Sequence, residues 1–379
     1  MTTPEPSFTI GIEEEYLLVD KETRDIASDP PRALMAACEA ALPGAVSPEF
    51  LRCQIEIGTP VCPTIEAARN ELARLRRTIA EKADAFGLAP IAASTHPFAE
   101  WDRQPHTDKD RYNELAESMQ VVVRRLLICG MHVHVAIEDE AERIDLFNQL
   151  PYFLPHLLAL STSSPFWRGR KSGLKSYRLA VFNEMPRTGM PPAFDSPGEY
   201  HRTIDVLVEA GLIEDGTKVW WDLRPSARFP TLEMRVTDVC TRLDDAIAIA
   251  AIFRCLARML WRLRRSNQRW RQYSPFLIDQ NRWLAQRSGV GAELIDFGLG
   301  AAVPYAELIE EMLEMLRPDA KHFGCLAAVE HARCIAAEGT SADRQVAVYD
   351  KAISEGADEE AALRAVVDHL IAETLEGCA

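Results

Sequence analysis

Residues 10–18, Ile-Gly-Ile-Glu-Glu-Glu-Tyr-Leu-Leu, alternate polar and apolar side chains with a period of two. On an extended strand that period separates two faces. Glu13 and Glu15 share a face with Gly11, while Ile10, Ile12, Tyr16 and Leu18 take the other. Glu14 falls with the apolar set, which places it at a strand edge or in a salt bridge and gives it no role in a site. An isolated Glu-Glu-Glu run is ordinarily a solvated edge. Here the flanks are strongly apolar, Gly11 lets the backbone approach a neighbour, and three other stretches repeat the pattern.

In 51–58, Leu51, Cys53, Ile55 and Ile57 oppose Gln54 and Glu56. In 127–137, His132 and His134 oppose Cys129, Met131, Val133 and Val135. In 231–238, Glu233 and Arg235 oppose Leu232, Met234 and Val236. If these strands share a sheet, one face gathers carboxylates, two imidazoles and a guanidinium. Like charges gathered in a cleft are costly unless cations neutralise them. Oxygen-rich donor sets with a single nitrogen suit Mg²⁺ or Mn²⁺. Such a face handles nucleotide phosphates without a glycine-rich loop.

The chain of 379 residues is long enough for a large core, and 47% hydrophobic with 26% charged residues is ordinary for a globular protein. A net charge of −15 argues against nucleic acid or an anionic membrane as partner. Residues 1–9 do not read as a signal peptide, and the most apolar long run, 246–263, is interrupted by Arg254, Arg258 and Arg262. Nine scattered cysteines without a Cys-x-x-Cys pair suggest reduced thiols and a cytoplasmic location. Cys53 and Cys129 sit at apolar strand positions and read as core.

Helical spacing covers 64–86, 196–210, 243–270 and most of 304–376. Ser196, Pro197 and Glu199 form a capping-box signature. Strand signals fall between 8 and 238. The expectation is an α+β fold in one domain spanning 1–379, with a mainly helical part from 275 to 379. The apolar face of 243–263 suits either core or a homodimer seam.

Glu49 lies seven residues before Glu56, which is opposite parity on a regular strand; it joins the polar face only if the chain bends near Pro48. The His-x-His pair also suits zinc, but no cysteine lies in register with it. Arg224 and Arg228 cluster with Trp220 and Trp221, and arginine forks suit phosphate or carboxylate. The loops at 161–178 and 184–192 have the Ser, Thr, Gly and Arg content of an anion contact. No Walker sequence, strand-borne G-x-G-x-x-G or G-x-S-x-G elbow is present.

Ten stretches in order carry a resemblance: GIEEEYLLVD from Gly11, QIEIGTPVC from Gln54, STHPFAEW from Ser94, ICGMHVHV from Ile128, LLALSTSSPFW from Leu157, PRTGMPP from Pro186, WWDLRPS from Trp220, TLEMRVTDVC from Thr231, NRWLAQRSG from Asn281 and ADRQ from Ala342. Together they resemble the glutamate–cysteine ligase type 2-like carboxylate–amine ligases, with Ala136 standing where that family has glycine. The resemblance implies a glutamine synthetase-like fold, in which a curved, mainly antiparallel sheet forms a funnel-shaped site. It implies that Glu13, His132 and Glu233 hold metal on the phosphates of ATP, and that Glu15, Glu49 and Glu56 hold metal near an amino-acid substrate. Glu49 enters on the resemblance alone. Arg235 would lie against the transferring phosphoryl group, with Glu233 beside it in the catalytic set and Arg224 contributing to nucleotide binding. The implied cofactors are ATP and Mg²⁺ (or Mn²⁺), and the default substrates are glutamate and cysteine. The alternatives are a zinc- or manganese-dependent hydrolase using His132, His134 and the carboxylates, and a non-catalytic nucleotide- or metal-binding protein.

Overall fold

The four alternating stretches do share one sheet. In the computed structural model, which describes residues 4–378, that sheet has seven strands: β1 (Ile10–Asp20), β2 (Val46–Pro48), β3 (Gln54–Gly58), β4 (Leu88–Ile91), β5 (Met131–Ala136), β6 (Leu223–Pro225) and β7 (Thr231–Met234). The order is β6-β7-β5-β1-β3-β2, and every pairing is antiparallel. β4 takes the edge of β1 that β5 vacates, because Leu17 faces Gln54 on one side and Ile91 on the other.

Register then sets the polar residues side by side. Glu13 pairs with His132 and Gly11 with His134 across β1 and β5. Glu15 pairs with Glu56 across β1 and β3. Glu233 pairs with His134 across β7 and β5, and with Arg224 across β7 and β6. A slip of one residue would send each of these groups into the core.

The opposite face is the core. Ile10, Ile12, Tyr16, Ile55, Ile57, Met131, Val133, Val135, Leu232 and Met234 are all buried. Beneath them lie α1 (Ile65–Asp84), whose Thr64 hydroxyl accepts the Ala67 N–H, and α2 (Leu243–Arg265). The apolar face of α2 is consumed inside the chain, from Ala246 through Trp261, so it is core and not a dimer seam. The C-terminal helices α3 (Tyr305–His322), α4 (Leu326–Glu330), α5 (Ser341–Ser354) and α6 (Glu359–Thr374) pack against the same core, and the Thr374 hydroxyl accepts the Ala92 N–H.

Glu14 shows why a charge falls on the apolar face. Its carboxylate takes a two-pronged bond from Arg76 of α1 (Nε–Oε2 2.9 Å, Nη2–Oε1 2.6 Å), and both residues are fully buried. Arg76 also donates to the carbonyls of Cys240, Thr241 and Thr374, tying α1 to the chain before α2 and to the end of α6.

Several sequence expectations need correction. The helix expected over 243–270 ends at Arg265. Strands continue past 238, in a hairpin of Glu293–Asp296 with Ala301–Pro304 inside the part expected to be helical. Ser196 Oγ accepts the Glu199 N–H as expected, but the Glu199 carboxylate accepts Asp195 N–H, outside the box. Gly11 is not needed for a close approach: an added Cβ would meet His134 Cβ at an ordinary 3.8 Å. Cys53 and Cys129 are buried, as are all the cysteines except the exposed Cys334. No helix among the described residues is long and apolar enough to cross a membrane.

Candidate active site

The polar face of the sheet floors a cleft of about 550 Å³. Glu13, Glu15, Glu49, Glu56, His132, His134, Glu233, Arg224 and Arg235 all line it, so the structure brings together every residue singled out from sequence. Lys109, Arg111, Lys218 and Arg228 add positive charge to its walls.

Three clusters of donor atoms run across the floor, each with all its atoms within 4.8 Å of one another: Glu13–His134–Glu233, Glu13–Glu56–His132 and Glu15–Glu49–Glu56. The third matches the expected substrate-side carboxylates. The first differs from expectation: His134, not His132, stands between Glu13 and Glu233. His132 serves the middle, with Nδ1 3.2 Å from Glu13 Oε2 and Nε2 3.9 Å from Glu15 Oε1. The reason is register, since His134 is the direct partner of Glu233 across β5 and β7.

His134 also tests whether a cation fits. Its Nδ1 lies 2.9 Å from Thr231 Oγ1, while Nε2 is buried without a hydrogen-bond partner. That Nε2 faces Glu13 Oε1 at 3.6 Å and Glu233 Oε2 at 4.0 Å. With the proton on Nδ1, a nitrogen lone pair and two carboxylate oxygens converge, which suits an oxygen-preferring divalent cation.

The two arginines differ in what they leave free. Arg224 forks onto Glu233 (Nε–Oε2 2.8 Å, Nη2–Oε1 3.1 Å) and its Nη1 donates to the carbonyls of Thr217 and Val219. Its fork is thus engaged by protein groups. Arg235 also donates to Glu233 through Nη1, but its buried Nε has no partner. β7 ends at Met234, where Arg235 and Val236 N–H both donate to the Asp222 carbonyl, and Arg235 lines the floor with Glu233, as strand parity places it.

Charge follows the same division. Burial works against ionising Glu233, yet Arg235 and Arg224 hold its carboxyl well below the usual range. Glu13 is also held low against burial, by His132 and His134. At the other end burial and Glu15 push Glu49 up to about 7, and burial with Glu49, Glu13 and Glu15 pushes Glu56 well above its ordinary value. Between about 4.5 and about 7, native Glu49 keeps a proton that the unfolded chain has lost. Stability therefore falls as pH rises through that window. In chelator the thermal midpoint should drop from pH 4.5 to 7, Glu49→Gln should flatten the drop, and Mg²⁺ should restore the midpoint near pH 7. A flat wild-type profile in chelator would show that these carboxylates do not repel one another.

Arg178, covered by the 161–178 stretch read as an anion contact but not singled out there, is 3% exposed and lines the cleft beneath Arg235 and Val236, whose carbonyls accept from it. Gly130 makes room for it: a Cβ there would lie 2.4 Å from Arg178 Nη2. The same Gly130 donates its N–H to Glu15 Oε2 at 2.7 Å. Most of the 161–178 loop is structural, because Ser163 N–H, Ser164 Oγ and Ser176 Oγ all donate to the buried Asp238 carboxylate. Arg187 of the second loop stacks on Trp220, 5.2 Å from the ring centre.

Residues 9–369 match the family model described as glutamate–cysteine ligase family 2. A relative from Rhodospirillum rubrum, provisionally named glutamate–cysteine ligase 2, is 63% identical over 375 residues, covering 98% of this chain and 96% of its own. A relative from Jannaschia sp. with the same provisional name is 57% identical over 370 residues, covering 98% and 97%. Among solved structures, a glutamate–cysteine ligase from Francisella tularensis in complex with AMP superposes with a TM-score of 0.70 at 12% identity, over 97% of this chain and 89% of that one. A bifunctional glutathione synthetase from Pasteurella multocida gives 0.65 at 15% identity, over 97% of this chain and 53% of that one. Those likenesses show the fold. The family model and these relatives match over nearly the whole length, and the chain belongs to glutamate–cysteine ligase family 2.

Proposed function

We propose that this protein is a cytoplasmic, ATP- and Mg²⁺-dependent (or Mn²⁺-dependent) carboxylate–amine ligase, with glutamate and cysteine as its default substrates. The observation that carries the reading is the row of three donor clusters with Arg235 among them. The AMP bound by the Francisella protein of like fold supports a nucleotide in the cleft. Divalent cations held by these clusters would neutralise and orient the phosphates and the reacting carboxylate.

The chain's own residues do the rest. A substrate carboxylate oxygen attacks the γ-phosphorus, ADP leaves, and the acyl phosphate is then opened by an amine with loss of phosphate and a proton. Arg235, with Nε unpartnered, supplies charge-assisted donors to the transferring phosphoryl oxygens. Arg224 acts through Glu233, whose carboxylate it holds in one orientation. The Glu15, Glu49 and Glu56 carboxylates lie at the end proposed to receive the amino acid. A hydrolase built on His132 and His134 gains no support, since the two imidazoles fall in different clusters and the family is one of ligases.

The test is ADP release from ATP and Mg²⁺ with a panel of carboxylic acids, each with and without candidate amines. ADP that requires both partners establishes the ligase and names its substrates. Folded, metal-loaded protein that releases none with any pair refutes the reading.

A further inference from the structure

On the far side of the core from the cleft, α2 and the connector between α3 and α4 bring two cysteines together. Cys255 Sγ and Cys325 Sγ lie 3.8 Å apart, in hydrogen-bonding contact, and no other two thiols among the described residues are so placed. Cys255 is fully buried within α2. Cys325 stands at the start of α4, straight after Gly324, whose φ of +65° turns the chain out of α3. A cavity of about 610 Å³ opens beside it, lined by Cys325, Phe323, Ile247 and Ala328 among others.

A second, independent feature is Arg254, one residue before Cys255. It is 4% exposed, and its Nη2 donates to the Pro63 carbonyl at 2.7 Å. Its Nε and Nη1 are buried without partners, and its guanidinium lies 4.0 Å from the centre of the Phe323 ring. Among the described residues no carboxylate lies within salt-bridge distance of it. A buried cation without an anion is costly. The groups whose negative charge would favour it are the thiols of Cys325 and Cys255.

We propose that Cys325 and Cys255 are a redox-active dithiol, in which Cys325 attacks a low-molecular-weight disulfide entering the cavity and Cys255 resolves the product. The Cys325 thiolate displaces one thiolate from the small disulfide, giving a mixed disulfide. Cys255 passes its proton to the released thiolate and attacks Cys325 Sγ, expelling the second thiolate. One small disulfide is reduced to two thiols, and the cysteine pair is oxidised to a cystine joining α2 to the start of α4. The hydrogen bond between the thiols, with Arg254 alongside, holds the Cys325 thiol below its ordinary value; the same bond and burial push Cys255 well above. An attacking thiolate beside a protonated resolving thiol is the division of labour this exchange needs. The other buried cysteines have no such partner, and the inference is independent of the reaction in the cleft.

The test uses full-length protein carrying Cys334→Ser, which removes the exposed thiol. Incubated folded with bis(2-hydroxyethyl) disulfide, it should lose two thiols together and two hydrogens in mass, with the Cys255 and Cys325 peptides linked and the link reversed by reductant. Adding Cys255→Ser should trap one mercaptoethanol adduct on Cys325, and Cys325→Ser should abolish both products. Arg254→Gln should slow alkylation of Cys325 near pH 7 by about tenfold or more, with Arg254→Lys closer to wild type. Retention of all thiols in folded protein, or an adduct falling on another cysteine in the Cys255→Ser protein, would overturn the proposal.

Discussion

Glu13→Gln should lower nucleotide-dependent turnover by about a thousandfold or more while the protein stays folded. Glu13, like Glu56, is shared by two of the three donor clusters, and it alone joins both histidine-bearing ones, so losing its charge weakens both. It is a third exposed, and its contacts are to imidazoles, so no buried ion is stranded by the change. Glu233→Ala should cost as much activity but also stability, because its carboxylate is the shared anion of Arg224 and Arg235 and is 2% exposed. Steady-state ADP release together with thermal unfolding separates the two effects. Glu13→Gln with turnover near wild type would remove the carboxylate row from the mechanism.

Arg76→Met should destabilise the fold by about 3–5 kcal/mol, because it strands the Glu14 charge in the core. That is a large share of the roughly 5–15 kcal/mol by which domains are stable. The loss extends beyond the ion pair: the carbonyls of Cys240, Thr241 and Thr374 lose a donor at one point where three segments meet. The Tyr16 hydroxyl, which also donates to Glu14, remains but cannot neutralise it. Arg76→Met combined with Glu14→Gln should be less destabilised than Arg76→Met alone, since no buried charge is left. Urea unfolding of both variants decides this, and equal losses would show that the burial of Glu14 carries no penalty.

The local pattern was legible wherever the chain is a regular strand. Parity placed Glu13, Glu15, Glu56, His132, His134 and Glu233 on one face, and all six line the cleft. It failed at strand ends. Glu49 lies just past β2, where Ser47 still pairs with Glu56, and the turn after Pro48 brings its carboxylate back beside Glu56. Only the family resemblance had admitted it. Arg224, which the resemblance assigns to nucleotide binding, lines the cleft, and nothing in the sequence signalled that it also forks onto Glu233 and donates to the Thr217 and Val219 carbonyls.

What the residue order determines alone is which face of a strand each side chain takes, which helices carry an apolar stripe, and hence a half-polar sheet backed by helices. Those properties depend on backbone geometry repeated every two or 3.6 residues. The tertiary structure decided who meets whom: His134 rather than His132 beside Glu233, Arg76 on Glu14, and Arg178 in the space left by Gly130. Glu13 and His132 are 119 residues apart in the chain, and Glu14 and Arg76 are 62 apart. No local period spans such distances; strand register and helix docking set those encounters, and both are fixed only when the whole core packs.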